Sequence, residues 1–155
     1  MINEKESIVV FHIERLWSIY LINEFVKEAK LPYNLFKDRE DFDFAKENQL
    51  ILLYSMLHSV FDNQNNAINL KDISFSNEVL EAKRKEILNR WALIENPIKI
   101  MRHTIGAHSS ESIKGYKYGV SQFSKFGNKP IEIIHMLRKF VNEFYKQKFK
   151  LPKQS

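Results

Sequence analysis

Apolar residues recur along most of the chain at helical spacing, separated by short polar breaks. Residues 3–30 predict a long first helix. Asn3 is placed to cap it, with Glu6 in capping-box position. Ile8, Phe11, Leu16, Ile19, Phe25 and Val26 line one face. Val9, Trp17, Tyr20, Leu21 and Ile22 spread beyond that face, so the stripe is wide. A helix this apolar is either central in a bundle or part of a subunit interface. Pro32 ends it, and a connection follows with about one helical turn.

A second helix is predicted from Asp41 to Phe61, with Asp41 and Asp43 at its electropositive end. Leu50, Leu53, Tyr54, Leu57, Val60 and Phe61 follow its spacing. Asp62 to Asn66 reads as a loop, because Asp and Asn side chains form local turns. AINLKDISF then crosses over, with some strand character but no partner strand elsewhere. A third helix runs from Ser76 or Asn77 to Glu95, with Val79, Leu80, Ile87, Leu88, Trp91 and Ile94 inward. Pro97 either kinks that helix or starts a new one. Ile98, Ile100, Met101 and Ile105 bury the segment after it. Ser109 to Asn128 reads mostly as loop, and a last helix runs from Pro130 to Phe149. Its stripe is Ile134, Leu137, Phe140, Val141, Phe144 and Tyr145, and residues 151–155 form a frayed tail.

The expected fold is all-α: one domain over residues 1–155, a bundle of four main helices with a short or kinked extra helix. Composition agrees with this. Only 4 Gly and 4 Pro occur in 155 residues, fewer turn formers than a β-sandwich or barrel needs. There is no cysteine, which rules out disulfides, thiolate zinc sites and a cysteine nucleophile. The N-terminus carries acids rather than a basic leader, and no uncharged apolar run is long enough to span a membrane. These features predict a soluble cytoplasmic protein without a membrane partner.

Charge alters the picture. Residues 1–100 hold 13 Lys/Arg and 16 Asp/Glu, a sum of −3, whereas residues 101–155 hold 11 and 3, a sum of +8. Such asymmetry suggests a polyanion partner, although a solvated lysine-rich helix gives the same count.

The basic third opens on PIKIMRHTIGAHSS, residues 97–110, where Arg102, His103 and His108 lie close together. Arginine offers a planar fork of donors that fits phosphate oxygens. Histidine titrates near neutrality and can take or give a proton. Cutting RNA without a metal needs a base for the 2′-hydroxyl, an acid for the leaving oxygen and a cation for the charged phosphorane. One arginine and two histidines suffice in kind. In one straight helix, residues six apart differ by roughly 120° in azimuth and about 9 Å along the axis. Arg102 and His108 therefore converge only if the helix ends near Gly106 or if two subunits share the site. Capping of a helix end by both cations is the structural alternative.

The segment resembles the HEPN family, the higher eukaryote and prokaryote nucleotide-binding domains, which are compact all-α units of about this size. Their signature is an arginine, usually a polar residue next, and a histidine after four to six intervening residues. MRHTIGAHSS fits it throughout and is most similar to the abortive-infection branch. The resemblance implies a metal-independent ribonuclease of toxin or antiviral type that cleaves single-stranded RNA as a homodimer, with the motif at the interface. It also implies an antitoxin or regulatory protein as a possible partner, and no cofactor. Carried over, Arg102 contacts phosphate, His108 is the acid/base group and His103 fills the polar position. The toxin branch modified by a nucleotidyltransferase antitoxin usually has tyrosine where Ser110 stands, which argues against such modification. Some members have lost catalysis and act as nucleotide-binding, RNA-binding or interaction modules, the alternative reading for this chain.

Lys114, Tyr116, Lys117 and Tyr118 form a second candidate, able to hold a single-stranded base by stacking and charge or simply to pack a loop. His12, His58 and His135 sit in apolar helical patterns and read as hydrogen-bonded core residues. Asp62 reads as a turn former, with the orientation of a histidine as its other possible role. No metal-ligand spacing, P-loop or GxGxxG is present, so no metal or nucleotide cofactor is expected.

Overall fold

A computed structural model describes residues 3–28, 39–106 and 113–149. Among these the regular elements are all helical. The chain runs through α1 (Glu4–Glu28), α2 (Arg39–Phe61), a 3₁₀ turn (Gln64–Asn66), α3 (Glu78–Ala92), α4 (Glu95–Met101), a π-helical turn (Arg102–Gly106), α5 (Ile113–Ser121), α6 (Phe123–Phe126) and α7 (Lys129–Lys148). The fold is an all-α bundle as expected, with α1, α2, α3 and α7 its long helices, and α4, the π-helical turn, α5 and α6 lie between α3 and α7.

Asn3 caps α1 by accepting the Lys5 N–H at 3.1 Å. The buried line of α1 is Val9, Val10, Ile13, Leu16 and Tyr20, which face α2 and α7. This differs from the predicted face. Phe11 and Phe25 are 57% and 69% exposed, and Leu21 and Ile22 also face outward. Apolar residues occupy so much of the helix circumference that periodicity alone could not select which side turned inward. α7 packs against α1, α2 and α3, and Ile134, Leu137, Phe140, Val141 and Phe144 are buried as its stripe predicts. Of the predicted α3 face, Val79 is exposed while Leu80, Ile87 and Trp91 are buried.

The crossover after α2 forms no strand. Leu70, Ile73 and Phe75 are buried, and the Leu70 N–H donates to the Val60 carbonyl at 2.9 Å. Asn69 Oδ1 accepts the N–H groups of Lys71 and Asp72. Arg84 of α3, 7% exposed, donates to the carbonyls of Leu70 and Lys71 and pairs with Glu81 at 2.9 Å. Glu81 in turn accepts the Phe75 N–H at 2.9 Å. The crossover's backbone groups are thus satisfied by α3 side chains, by Asn69 and by the end of α2 rather than by a sheet.

Asn77 caps α3, accepting the Leu80 N–H at 3.1 Å. The Leu93–Ile94 turn separates α3 from α4, and Pro97 falls in the first turn of the new helix, where its missing N–H costs nothing. Ile98 and Met101 anchor α4 in the core. The predicted loop after the motif is largely helical instead, as α5 and α6. Gly115 and Gly119 lie inside α5 and do not break it, while Gln122 and Phe126 bury the next turns. The break falls at Gly127, whose φ of +50° suits glycine. Leu151–Ser155 lie outside the described residues.

Candidate functional site

The candidate site forms where the end of α2 meets the end of α4. His58 and Asp62 are four residues apart, so one face of α2 and its exit carry both. Met101 closes α4, and Arg102 begins the π-helical turn, its N–H shared between the carbonyls of Ile98 and Lys99. Arg102 Nη1 lies 3.0 Å from Asp62 Oδ2 and 3.0 Å from His58 Nδ1. The two hydrogens of one guanidinium nitrogen thereby hold both neighbours. Arginine can only donate, so Nδ1 of His58 accepts and the ring proton sits on Nε2.

The surroundings fix this arrangement. His58 is 6% exposed, and its ring meets Trp91 edge-on at 6.0 Å. Trp91 stacks on Phe61 at 4.2 Å. Burial, and then the Arg102 guanidinium, push the His58 pKa below its ordinary value, against smaller opposing effects of Asp62 and Glu95. His58 is therefore neutral at pH 7, the form that accepts from Arg102. Partial burial alone would raise the Asp62 pKa, but the Gln64 N–H and the Arg102 guanidinium outweigh it and hold the carboxyl below its usual range. Asp62 is thus both turn former and ion-pair partner: Oδ1 accepts the Gln64 N–H at 3.1 Å, and Oδ2 faces Arg102.

Arg102 retains 22% side-chain exposure, and among the described residues its Nη2 and Nε make no hydrogen bond. One side of the guanidinium is anchored and the other keeps its donors for an incoming anion. His103 is exposed beside it on the same turn. Thr104 Oγ1 donates to the Ile100 carbonyl at 2.8 Å, tying the side chain back onto the preceding turn. α5 packs against this turn at Gly119, where an added Cβ would stand 2.0 Å from Thr104 Oγ1. A π-turn is uncommon and needs such external support.

The predicted site residues separate into three groups. Arg102 and His103 lie on the π-helical turn, and Arg102 bonds to the end of α2. His108, with Ala107, Ser109 and Ser110, lies outside the described residues. Lys114, Lys117 and Tyr118 are exposed on α5, and Lys125 Nζ sits 5.9 Å from the Tyr118 ring; the Tyr116 side chain is outside the description. Of the three histidines read as core, only His58 is buried. His12 is exposed, and His135 is exposed while bonded to the Tyr20 hydroxyl at 3.1 Å. His58 is the neighbour of Arg102 that sequence reasoning did not place at the candidate site. Its signal was present in the i, i+4 spacing to Asp62 at a helix exit.

Among the described residues, no group of three or more His, Asp or Glu is placed to hold a metal ion. None of the described helices is long and apolar enough to cross a membrane. No family model, curated protein or solved structure matches the chain, so fold and site geometry alone bear on its chemistry.

Proposed function

We propose that the chain is a metal-independent endoribonuclease of the toxin or antiviral-defence type, cutting single-stranded RNA at a site shared by two copies. The observation that carries this reading is the half-anchored Arg102. Asp62 and His58 hold one nitrogen, and the remaining donors of the fork are open to a phosphate. In this reading Arg102 stabilises the charged phosphorane, His108 moves the proton, and His103 contributes at the polar position. The +8 charge of residues 101–155 supports a polyanionic substrate. The outward apolar side chains of α1, Phe11, Leu21, Ile22 and Phe25, support self-association.

The test is incubation of the purified protein with single-stranded RNA in EDTA. Cleavage to products with cyclic-phosphate ends, lost in Arg102→Ala and in His108→Ala, is expected. Intact RNA, or cleavage unchanged in both variants, would sink the proposal. Growth arrest on expression of the wild type but not of His108→Ala is the matching cellular result.

A second reading, a non-catalytic helical dimer that binds RNA or nucleotide, is favoured by the burial of His58. A neutral imidazole at 6% exposure positions Arg102 but does not exchange protons with substrate. It predicts salt-sensitive RNA binding, weakened by Arg102→Ala, with the RNA left whole.

A further inference from the structure

A cavity of about 700 Å³ opens between α1, α2 and α7, and the Arg102 site has no part in its wall. Asn23 lines it, is 6% exposed, and its amide makes no hydrogen bond among the described residues. Tyr54, 5% exposed, also faces it without a hydrogen-bond partner for its hydroxyl among those residues. The polar atoms of Asn23 and Tyr54 are not among the sealed, unsatisfied groups, so both keep access to the cavity and to polar groups of whatever enters it. Burial, and then the negative charge of Glu24, push the Tyr54 pKa up to about 12, so the phenol stays neutral.

The wall carries two carboxylates and two lysines, so the sign of the occupant rests on which of them stand beside the inner end of the cavity. Glu24 and Glu132 line the cavity, and neither has an ion pair among the described residues. Of the two lysines present, Lys46 is paired with Asp43 at 3.3 Å, and Lys27 is exposed near the end of α1. Glu24 is near enough to Tyr54 to disfavour a phenolate, after burial, and a carboxylate there repels a second negative charge in the same way. The rest of the wall is mixed: Gln49, Asn128 and His135 are polar, and Tyr20, Val26, Leu50 and Ile131 supply its apolar and aromatic part. Tyr20 is fixed by its bond to His135 and by Trp17, whose ring centroid is 4.9 Å away, and Leu50 and Ile131 are half-buried.

We propose that this cavity binds a small amine with an aromatic body. Its ammonium is held by Glu24, with the Asn23 carbonyl and the Tyr54 hydroxyl oxygen as further acceptors. Its ring lies against Tyr20, Leu50 and Ile131. A carboxylate suits an ammonium, and the face of a tyrosine attracts the same cation. The site is independent of the ribonuclease reading, because no residue is shared.

Phenethylamine, 2-phenylethanol and 3-phenylpropionate test the claim on the full chain by ligand-observed NMR and thermal shift. Phenethylamine is expected to bind saturably and raise Tm, and the neutral and anionic compounds to bind at least about tenfold more weakly. Glu24→Gln is expected to remove that preference while circular dichroism stays unchanged. Arg102→Ala is expected to keep phenethylamine binding intact. Glu132→Gln, at an exposed position, supplies a second variant should Glu24→Gln misfold, with at least a twofold loss expected. Equal binding of 3-phenylpropionate, no effect of either variant, or no binding by any compound up to about 10 mM overturns the proposal.

Discussion

His58 and Asp62 decide what Arg102 can do. The guanidinium is fixed through a single nitrogen by one charged and one neutral acceptor, and charge-assisted bonds of this kind are worth about 1.5–3 kcal/mol each. Asp62→Asn keeps the turn to Gln64 but weakens that anchor. In the ribonuclease reading, it is expected to lower cleavage by about 10- to 100-fold, read as an initial rate, with a small change in Tm. The pH dependence follows from His58. Its folded pKa lies below the ordinary 6.5, so the unfolded chain binds the extra proton first as pH falls. The resulting stability is complete above about pH 6.5 and is lost as pH falls from there through the depressed folded value. Asp62, whose folded pKa is also depressed, contributes in the same sense at lower pH, below the ordinary carboxyl value of 3.8. Thermal melts between pH 7 and 3 are expected to show both declines, and His58→Gln to remove the first. A melt flat from pH 7 to 5 in the wild type would contradict the first of these assignments.

At the scale of elements, the π-helical turn depends on α5. The Cβ of Gly119→Ala would meet Thr104 Oγ1, which is itself held by the Ile100 carbonyl and cannot easily move away. Overpacking of this kind costs about 1–3 kcal/mol. Gly119→Ala is therefore expected to lower Tm, and Thr104→Ala to recover part of that loss when combined with it, because the closest contact is gone. Additive losses in the double variant would refute the contact. These elements also show what the sequence could reveal. The long helices were legible from long runs of apolar residues at helical spacing, with a clean stripe on α7 and a good cap for α3 at Asn77. α5 was not, because three glycines within SIKGYKYGVSQFSKFG read as breakers, whereas Gly119 is a packing glycine and only Gly127 leaves helical geometry. Arg102 was legible as a candidate site residue from its motif. Its bonds to His58 and Asp62 were not, since a contact across 40 or 44 residues leaves no local pattern. The inward face of α1 was hidden by its excess of apolar residues.

For the molecule as a whole, α7 is the central strut, since α1, α2 and α3 all pack on it. Phe140 is fully buried there and meets Phe75 of the crossover edge-on at 5.0 Å. Phe140→Ala is expected to cost about 3–5 kcal/mol in chemical denaturation, a large share of a typical domain's stability. The exposed apolar side of α1 gives the dimer reading its own test. Ile22→Glu with Phe25→Glu is expected to shift sedimentation toward the monomer and leave the helical signal unchanged. If the site is shared between copies, RNA cleavage should fall with it.

The turn that begins at Arg102 has a consequence for the length of the chain itself. A π-turn carries one more residue per hydrogen-bonded loop than an α-helix, so it holds one residue of slack. Loss of a residue from within Arg102–Gly106 can be absorbed by tightening that turn to α-helical form. Loss of one residue in the middle of α7 would rotate every following side chain by about 100° and carry Phe140, Val141 and Phe144 out of the core. The motif is thus set in a stretch where the fold can tolerate a change of register, beside helices where it cannot.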